Sequence, residues 1–410
     1  MIHTFELIKS INAKDIYQLV KYLKQDSLSD DDNLLIKRKL FSPLKKRSKA
    51  VDYSSDINKV IDLEKDLKNY DTQTKKYEFT IDNTGIKKGK IIRICSKRYV
   101  DAEKTKAILS IGFYFILEIN PRTLINPNDG YTIKLYQASK QNNDLLVESF
   151  YTTMKGKFNG DEHFKAFWDI STFNTHRIDY AINFKFDNND EASLFYKQVH
   201  KTSLFKRTQK LKIKNIKYYE QSVAEKNNSY KTICYDKYAE IKNTYADCDI
   251  NKLNKLLSEA ENVIRFECQL KKSAIDRLKK KYYSNDSSIV FFLSEDLSKE
   301  ELLRQYDKTI GDGDFYHREE AKKVIAEKVR RSDMRIALIS FLQLIAQSKS
   351  LTSAKKRFVS GESNKSTGDI KTFRRRLKRL EELNINPVLI TDNESIRWLS
   401  NPRKVILNNN

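Results

Sequence analysis

Strict alternation of apolar and polar residues over residues 177–186 is the feature that most constrains how this chain folds. The sequence there is RIDYAINFKF, in which every second side chain is apolar. Successive side chains of a strand point to opposite faces, so one face of this strand is buried and the other is polar. Residues 264–270, IRFECQL, repeat the pattern. Each segment carries one acid on its polar face, Asp179 in the first and Glu267 in the second.

Further strand and helix signals surround these two segments and indicate the fold class. Between residues 77 and 151, strand-like apolar runs are separated by Gly, Asn and Asp turns. Residues 190–201 and 250–260 have helical spacing instead. We therefore predict an α+β fold with a largely antiparallel sheet, of which one face is covered by helices and the other is polar enough to hold a site.

Beyond residue 287 the pattern is mostly helical, and more than half of the excess positive charge lies in residues 321–410. Residues 387–391 and 397–406 are predicted to form a final β-hairpin. Two helices, a basic helix and a hairpin are the order of a winged helix-turn-helix. We therefore predict a helical, winged-helix-like DNA-binding region. Its basic helix supplies five candidate DNA contacts, which are Arg374, Arg375, Arg376, Lys378 and Arg379.

These patterns divide the chain into three parts. Residues 1–75 are predicted to hold a short amphipathic helix, over residues 12–25, and a basic linker. Residues 76–287 form the catalytic domain in this prediction, and residues 288–410 form the DNA-binding region. The charged stretch 27–74 is either a solvated linker with partial helix or an arm that contacts DNA.

The formal net charge of the 410-residue chain is +22, and a fold does not need such an excess. Nucleic acid is the expected partner, because neutralising phosphates releases counterions. A membrane is not expected, since the longest apolar run, residues 107–117, is too short to cross a bilayer. Four widely spaced cysteines without a C-x-x-C pair favour a reducing cytoplasm.

Carboxylates are the candidate metal ligands, since the five histidines include no H-x-H pair. Asp179, Glu267 and Glu118 each lie on the polar face of a predicted strand. Oxygen ligands of this kind suit Mg²⁺ or Mn²⁺. The alternative is that each acid forms an ion pair with a neighbouring Arg or Lys on a solvated face.

A tyrosine pair, Tyr218 and Tyr219, follows a strongly basic segment. A tyrosine oxygen can attack a phosphodiester and form a covalent link to DNA, with a cation that stabilises the developing charge. A passive DNA-binding role is the alternative. The basic residues of this segment that are predicted to bind DNA are Lys206, Arg207, Lys210 and Lys212.

Three motifs, taken together, resemble those of a known family. They read RIDYAINF, TICYDKYAEI and NVIRFECQLKK, and FILEINPRTLI precedes them. Their order and spacing resemble those of rolling-circle replication initiators of phages and plasmids, closest to the filamentous-phage gene II/X replication proteins. The similarity covers about residues 75–275, and FRRRLKRLEELNINP resembles the downstream DNA-binding helix of that family.

The resemblance implies an origin-specific nickase with one catalytic tyrosine and a divalent cation. It points to Tyr219 as the nucleophile, with Tyr218 beside it and Tyr230 less favoured, and to Lys237 as a contact of the scissile phosphate. Asp179 and Glu267 match the acids of the family. Tyr235, by its place on the strand face, is expected to pack.

The implied partners are double-stranded and single-stranded DNA at a replication origin, together with a host helicase and polymerase. A homodimer is left open. Two alternative functions also remain: a non-enzymatic initiator that binds an origin through winged helices, and a mobilisation relaxase with the same chemistry.

Overall fold

The computed structural model of the chain describes residues 1–24, 29–41, 61–62, 75–81, 85–99, 107–127, 132–157, 166–202, 222–226, 229–245, 249–361 and 367–408. Within these residues, helices and a large antiparallel sheet form one α+β fold, which confirms the predicted fold class. No helix in the described part is both long and apolar enough to span a membrane.

The sheet has nine strands, in the order β3-β4-β5-β1-β6-β9-β8-β7, with β2 paired to β5. Neighbouring strands are antiparallel throughout. The strands are β1 Ile2–Ile11, β2 Ile61–Asp62, β3 Lys75–Thr80, β4 Ile86–Tyr99, β5 Ala107–Ile119, β6 Asn174–Lys185, β7 Ser222–Lys226, β8 Tyr230–Asp236 and β9 Val263–Lys271.

The central strand β1 is absent from the sequence prediction, which assigned no strand to residues 1–75. It lies between β5 and β6, with Phe5 opposite both Ile119 and Ile178. Phe5 and Leu7 are fully buried on the apolar face of the sheet. The first residues of the chain are therefore part of the sheet that carries the predicted site.

Helices cover the apolar face. The helix Glu295–Thr309 packs on it through Tyr306, whose ring lies 5.3 Å from that of Phe266 and 5.8 Å from that of Phe184. The same hydrophobic core runs from Ile2 to Ile406. The predicted boundary at residue 287 therefore divides one continuous core. The other helices of this part are Ile16–Lys24, Asp30–Ile36, Pro121–Ile125, Lys140–Lys157, Asn189–Lys201, Lys237–Thr244, Ile250–Ala260, Lys272–Lys281 and Ile289–Phe292.

Four helices near the C-terminal end surround a second core. Its centre is a set of three edge-to-face rings, Phe341, Phe358 and Phe373, whose centroids are 5.0 to 5.6 Å apart. The four helices are Arg318–Lys328, Ser332–Ala346, Leu351–Ser360 and Ile370–Glu382. The last of them is the predicted basic helix.

The predicted C-terminal hairpin is wrong. Strand β11, Trp398–Leu399, pairs with β10, Phe315–Tyr316, and residues 403–408 form the helix Arg403–Asn408. Asn401 sets this path, since its backbone N–H donates to Asp314 Oδ1 at 2.9 Å and its side chain donates to the Gly313 carbonyl at 2.8 Å. The winged-helix interpretation is therefore not confirmed.

The GDGD turn, residues 311–314, has a structural role. Gly313 has a φ of +83°, and a Cβ there would lie 2.5 Å from the backbone of Ile385. Only glycine allows the turn to approach the C-terminal segment this closely.

Candidate functional site

The polar face of the sheet brings Asp179 and Glu267 together. Asp179 on β6 lies opposite Gln269 on β9, and Glu267 lies opposite Ala181, so the two acids are diagonal neighbours on one face. Diagonal neighbours on adjacent strands are roughly 7–8 Å apart at the backbone. Both residues are more than nine-tenths buried. We call these two residues the acid pair.

Asp179 is only half satisfied by hydrogen bonds. Its Oδ2 accepts from the Thr4 hydroxyl at 2.5 Å and lies 3.1 Å from Nη2 of Arg177. Its Oδ1 is buried and has no hydrogen-bond partner within the described residues. Burial raises the pKa of Asp179 despite the opposing charge of Arg177 and the bond from Thr4, and nearby Glu267 adds to the rise. An unpartnered buried carboxylate oxygen is costly and calls for a ligand or a special role.

Glu267 is held as an anion by three neighbours. Its Oε1 accepts from the Tyr235 hydroxyl at 2.6 Å, and it lies 3.1 Å from His3 Nδ1 and 4.0 Å from Arg265 Nη1. Burial alone would raise the pKa of Glu267. The contact with His3, the charge of Arg265 and the Tyr235 bond outweigh burial and lower it. Tyr235 is thus a hydrogen-bond donor to the acid pair, beyond the packing role that was predicted for it.

Two histidines reach this face through β-bulges. The register between β1 and β6 shifts between Ile2 and Thr4, which leaves His3 as an extra residue, and again between Glu6 and Leu7, which leaves His176 as an extra residue. A bulge re-aims side chains at the point where it interrupts the alternation. His3 then contacts Glu267, and His176 Nδ1 lies 2.8 Å from Glu6 Oε2. Periodicity could not have found either residue, because a bulge breaks the period.

Arg177 connects the acid pair to a second acidic group, formed by Glu6 and Glu118. Its Nη1 donates to Glu6 Oε1 at 2.8 Å, and its Nη2 lies 3.8 Å from Glu118 Oε1. Burial pushes the pKa of Glu6 up, but the His176 bond and the charges of Arg177 and Lys90 lower it to about 2. Glu118, a predicted metal ligand, thus lies near the same Nη2 of Arg177 that contacts Asp179. Its role as a ligand stays a prediction.

The side chains on the polar face provide oxygen donors that could bind a cation. Among the described residues, no group of three or more His, Cys, Asp and Glu side chains has metal-binding geometry. The orphaned Oδ1 of Asp179 and the ionised Glu267 nevertheless supply two buried oxygen donors on adjacent strands. Hard oxygen donors of this kind fit Mg²⁺ or Mn²⁺, with remaining positions left to water and phosphate.

Lys237 is buried and begins a helix. Strand β8 ends at Asp236, whose side chain caps the helix Lys237–Thr244. The Lys237 ammonium donates to Glu240 Oε2 at 2.6 Å. Burial, together with the charge of Arg265, lowers the pKa of Lys237 even though Glu240 opposes this change. The predicted contact of Lys237 with a scissile phosphate stays a prediction.

The predicted nucleophiles lie outside the described residues, and so do Lys206, Arg207, Lys210 and Lys212. The described chain resumes after Tyr218 and Tyr219 at Ser222, which lies opposite Tyr235 at the edge of the sheet. Tyr235 in turn contacts Glu267. The chain that follows the two tyrosines therefore enters the sheet on its edge strand β7, two strands away from β9, which carries Glu267.

Tyr230, the less favoured candidate, lies on the other face of the sheet. It shares the apolar face of β8 with Thr232 and Cys234, and it is opposite Leu270. Its hydroxyl accepts from Arg277 Nε at 2.9 Å. Burial raises the pKa of Tyr230, and Glu301 adds to the rise, although Arg304 and Arg277 oppose it. This placement disfavours Tyr230 as a partner of Asp179 and Glu267.

The basic helix Ile370–Glu382 presents only part of its charge to solvent. Phe373 and Leu380 bury one side in the second core. Arg376 lies over the ring of Phe358, 5.1 Å from its centroid, and burial lowers its pKa. Arg379 forms an ion pair with Glu382. The exposed members of the predicted DNA-binding set are Arg374, Arg375 and Lys378.

Comparison with known proteins gives a family match over part of the chain. Residues 138–289 match the N-terminal part of a family of replication-associated proteins, the gene II proteins of phages. No curated protein and no solved structure matches the chain. The matched residues include Asp179, Glu267 and Lys237, whereas the FILEINPRTLI segment precedes them. Over this segment the match confirms the resemblance to phage rolling-circle replication proteins of the gene II family, and it indicates a phage replication-associated protein.

Proposed function

We propose that this chain, as a relative of the gene II phage replication proteins over residues 138–289, starts rolling-circle replication by nicking DNA at an origin. The observation that supports this most directly is the acid pair: two buried carboxylates on adjacent strands, one with an orphaned oxygen. Buried titratable groups with perturbed pKa values are frequent at functional sites. The activity belongs to the cytoplasm in this proposal.

Tyr219, or its neighbour Tyr218, is the proposed nucleophile. Its oxygen forms a bond to the scissile phosphorus, and the bond from phosphorus to the 3′ oxygen breaks. The products are a free 3′ hydroxyl and a 5′-phosphotyrosyl link, with the tyrosine proton passed to the leaving oxygen through solvent or a nearby base. The link preserves the bond energy for later rejoining of the strand.

Asp179 and Glu267 would hold a divalent cation, Mg²⁺ or Mn²⁺, which when bound polarises the phosphate and stabilises the developing charge. The surrounding side chains keep these two acids in place. Thr4 and Arg177 fix Asp179 through its Oδ2, which leaves Oδ1 free to bind. Tyr235 and His3 fix Glu267.

Arg177 also limits how much negative charge this face presents. It contacts Asp179 and Glu6 and lies near Glu118. An arginine among three carboxylates, of which Glu6 and Asp179 are buried, offsets their repulsion before any cation arrives. We propose that Glu118 is an additional ligand of the cation, which binds it only if Arg177 moves toward a DNA phosphate.

Lys237 and the basic helix complete the proposal. Lys237 would contact the scissile phosphate after leaving Glu240, and Arg374, Arg375 and Lys378 would hold the duplex of the origin. The exposed cations act through counterion release, so binding falls with salt. A host helicase and polymerase would then use the 3′ hydroxyl.

The direct test incubates the chain with an origin oligonucleotide and Mn²⁺ and looks for an SDS-resistant protein–DNA adduct. We expect the adduct with the unaltered chain and none with Tyr219→Phe, while duplex binding stays unchanged. Loss of the adduct with Tyr218→Phe instead would move the nucleophile by one residue. Absence of an adduct under all conditions would contradict the nicking proposal and favour a non-enzymatic initiator.

A further inference from the structure

A cleft beside Asn183 of β6 is absent from the predicted site. Its volume is about 620 Å³, and it lies between the helix Pro121–Ile125, the segment 134–137, strand β6 and the helix Arg403–Asn408. Pockets for small ligands commonly measure about 300–1,000 Å³, so this cleft is too small for a duplex but large enough for part of a single strand.

The lining of the cleft favours an anion that also carries flat polar groups. Arg122 and Lys134 supply positive charge, and no Asp or Glu is among the described residues that line it. Asn126, Asn142 and Asn183 add side-chain amides, which can both donate and accept hydrogen bonds. Phosphates and base edges are the groups that such a lining recognises.

The wall of the cleft is connected to the acid pair by direct contacts. Asn183 Oδ1 accepts from Arg265 Nε at 2.7 Å, and Arg265 Nη1 lies 4.0 Å from Glu267. The Asn183 amide donates to the Ile133 carbonyl at 3.2 Å, which fixes the segment that carries Lys134. The cleft and the acid pair are therefore linked through Asn183 on β6 and Arg265 on β9.

The spacing between them matches a DNA strand. Asn183 and Asp179 share one face of β6 and are four residues apart, or about 13 Å at 3.3 Å per residue. About four stacked nucleotides cover that distance at a 3.4 Å rise. A strand of that length therefore spans the distance from Asn183 to Asp179.

We propose that this cleft binds the single DNA strand a few nucleotides from the scissile phosphate. Arg122 and Lys134 contact its phosphates, and Asn126 and Asn142 contact base edges, so that the cleft positions the strand on the acid pair. The proposal rests on the proposed function for the identity of the strand. It assigns to Arg122 and Lys134 a positioning role, with the chemistry left to the acid pair.

The test measures binding of a fluorescent single-stranded origin oligonucleotide by anisotropy, with EDTA present so that cleavage does not contribute. The double variant Arg122→Ala/Lys134→Ala should bind about tenfold more weakly, and the dependence of log K on log salt should be shallower by about 1.4, for two lost contacts. Duplex binding should stay within twofold. A shorter oligonucleotide that lacks the nucleotides on the cleft side of the scissile phosphate should bind the unaltered chain and the double variant with equal affinity.

The matched control is Lys280→Ala/Lys308→Ala, which removes two exposed cations outside the cleft. It should leave single-strand affinity nearly unchanged, and thermal melting checks that both double variants fold. Equal weakening by the two double variants, or none by the first, would overturn the proposal. If the double variant binds the single strand more weakly but the unaltered chain forms no covalent adduct, the nicking proposal is contradicted and the cleft proposal is not. If the adduct forms but the two proteins bind the single strand equally well, the cleft proposal is contradicted and the nicking proposal is not.

Discussion

The acid pair and the basic helix Ile370–Glu382 are both rich in charge, but they hold it in opposite ways. At the acid pair, charges are buried and each has a partner on another residue, such as Arg177 on Asp179 or His3 on Glu267. On the basic helix, Arg374 and Arg375 are exposed to solvent. One region fixes its charges before any ligand binds, and the other leaves them to be neutralised by the ligand.

This difference has an energetic basis. A buried charge costs several kcal/mol unless it is paired, so loss of one partner at the acid pair leaves another charge stranded. An exposed charge costs little, and its loss changes only the interaction with a distant polyanion. Substitutions in the first region should therefore have large, specific effects, and those in the second small and additive ones.

Asp179→Asn should give the largest effect. Loss of one anionic oxygen from a proposed cation site should slow adduct formation by on the order of 10²–10³-fold, comparable with removal of a main electrostatic contact in an active site. Duplex affinity, measured by gel shift, should not change. Rates of adduct formation in Mn²⁺ provide the measurement.

Asp187→Asn is the control, since Asp187 follows β6 and is exposed. It should cleave at the normal rate. If both variants cleaved normally, the acid pair would have only a structural role, and the contrast between the two regions would disappear.

Glu6→Gln should have the next largest effect, on stability. The pKa of Glu6 is lowered to about 2 from 4.5, so its ionised form stabilises the fold above pH 4.5, and this contribution is lost as pH falls toward 2. The shift corresponds to roughly 3 kcal/mol. Urea unfolding at pH 7 should detect this loss, and the difference from the unaltered chain should shrink as the pH approaches 2.

Glu78→Gln serves as its control. Glu78 forms an exposed ion pair with Lys76, and such pairs contribute less than about 1 kcal/mol. If Glu6→Gln lowers the free energy of unfolding by the same amount at pH 7 and near pH 2, the loss comes from packing and not from charge.

Arg374→Ala/Arg375→Ala should have the smallest effect. We expect about tenfold weaker duplex binding at moderate salt and a log K–log salt slope lower by about 1.8, for two lost phosphate contacts. Cleavage of a single-stranded oligonucleotide should continue at its normal rate. The control is Lys322→Ala/Lys323→Ala, which also removes two positive charges. These two lysines already form ion pairs with Glu319 and Glu320, so the control should change the log K–log salt slope less.

The acid pair and the basic helix also differ in how much of their structure the sequence predicts. The basic helix is encoded locally, by Asp369 as its cap and by Phe373 and Leu380 at helical spacing, so the sequence alone predicts its location. Asp179 and Glu267 were found because strict alternation places them on one face. Both features need only neighbouring residues to be recognised.

The rest of the site depends on pairing between distant residues. Thr4 and Asp179 are 175 positions apart, and Glu6 and Arg177 are 171 apart. His3 and His176 reach the site only because the register slips. The prediction of a C-terminal hairpin was wrong for a similar reason. Asn401 binds Asp314 of the GDGD turn, which lies 87 residues earlier in the chain. A single sequence carries no local signal for such contacts.

The central place of β1 also has a consequence for how the protein is made. This strand pairs with β5 and β6, and its β6 partners begin at Asn174. At about 5–20 residues per second, a ribosome takes on the order of ten to thirty seconds to add the residues between them. Throughout that time the apolar face of β1, with Ile2, Phe5 and Leu7, lacks one of its neighbours. We expect the nascent chain to depend on chaperones during this interval, and a circular permutant that begins with β6 to fold with less aggregation.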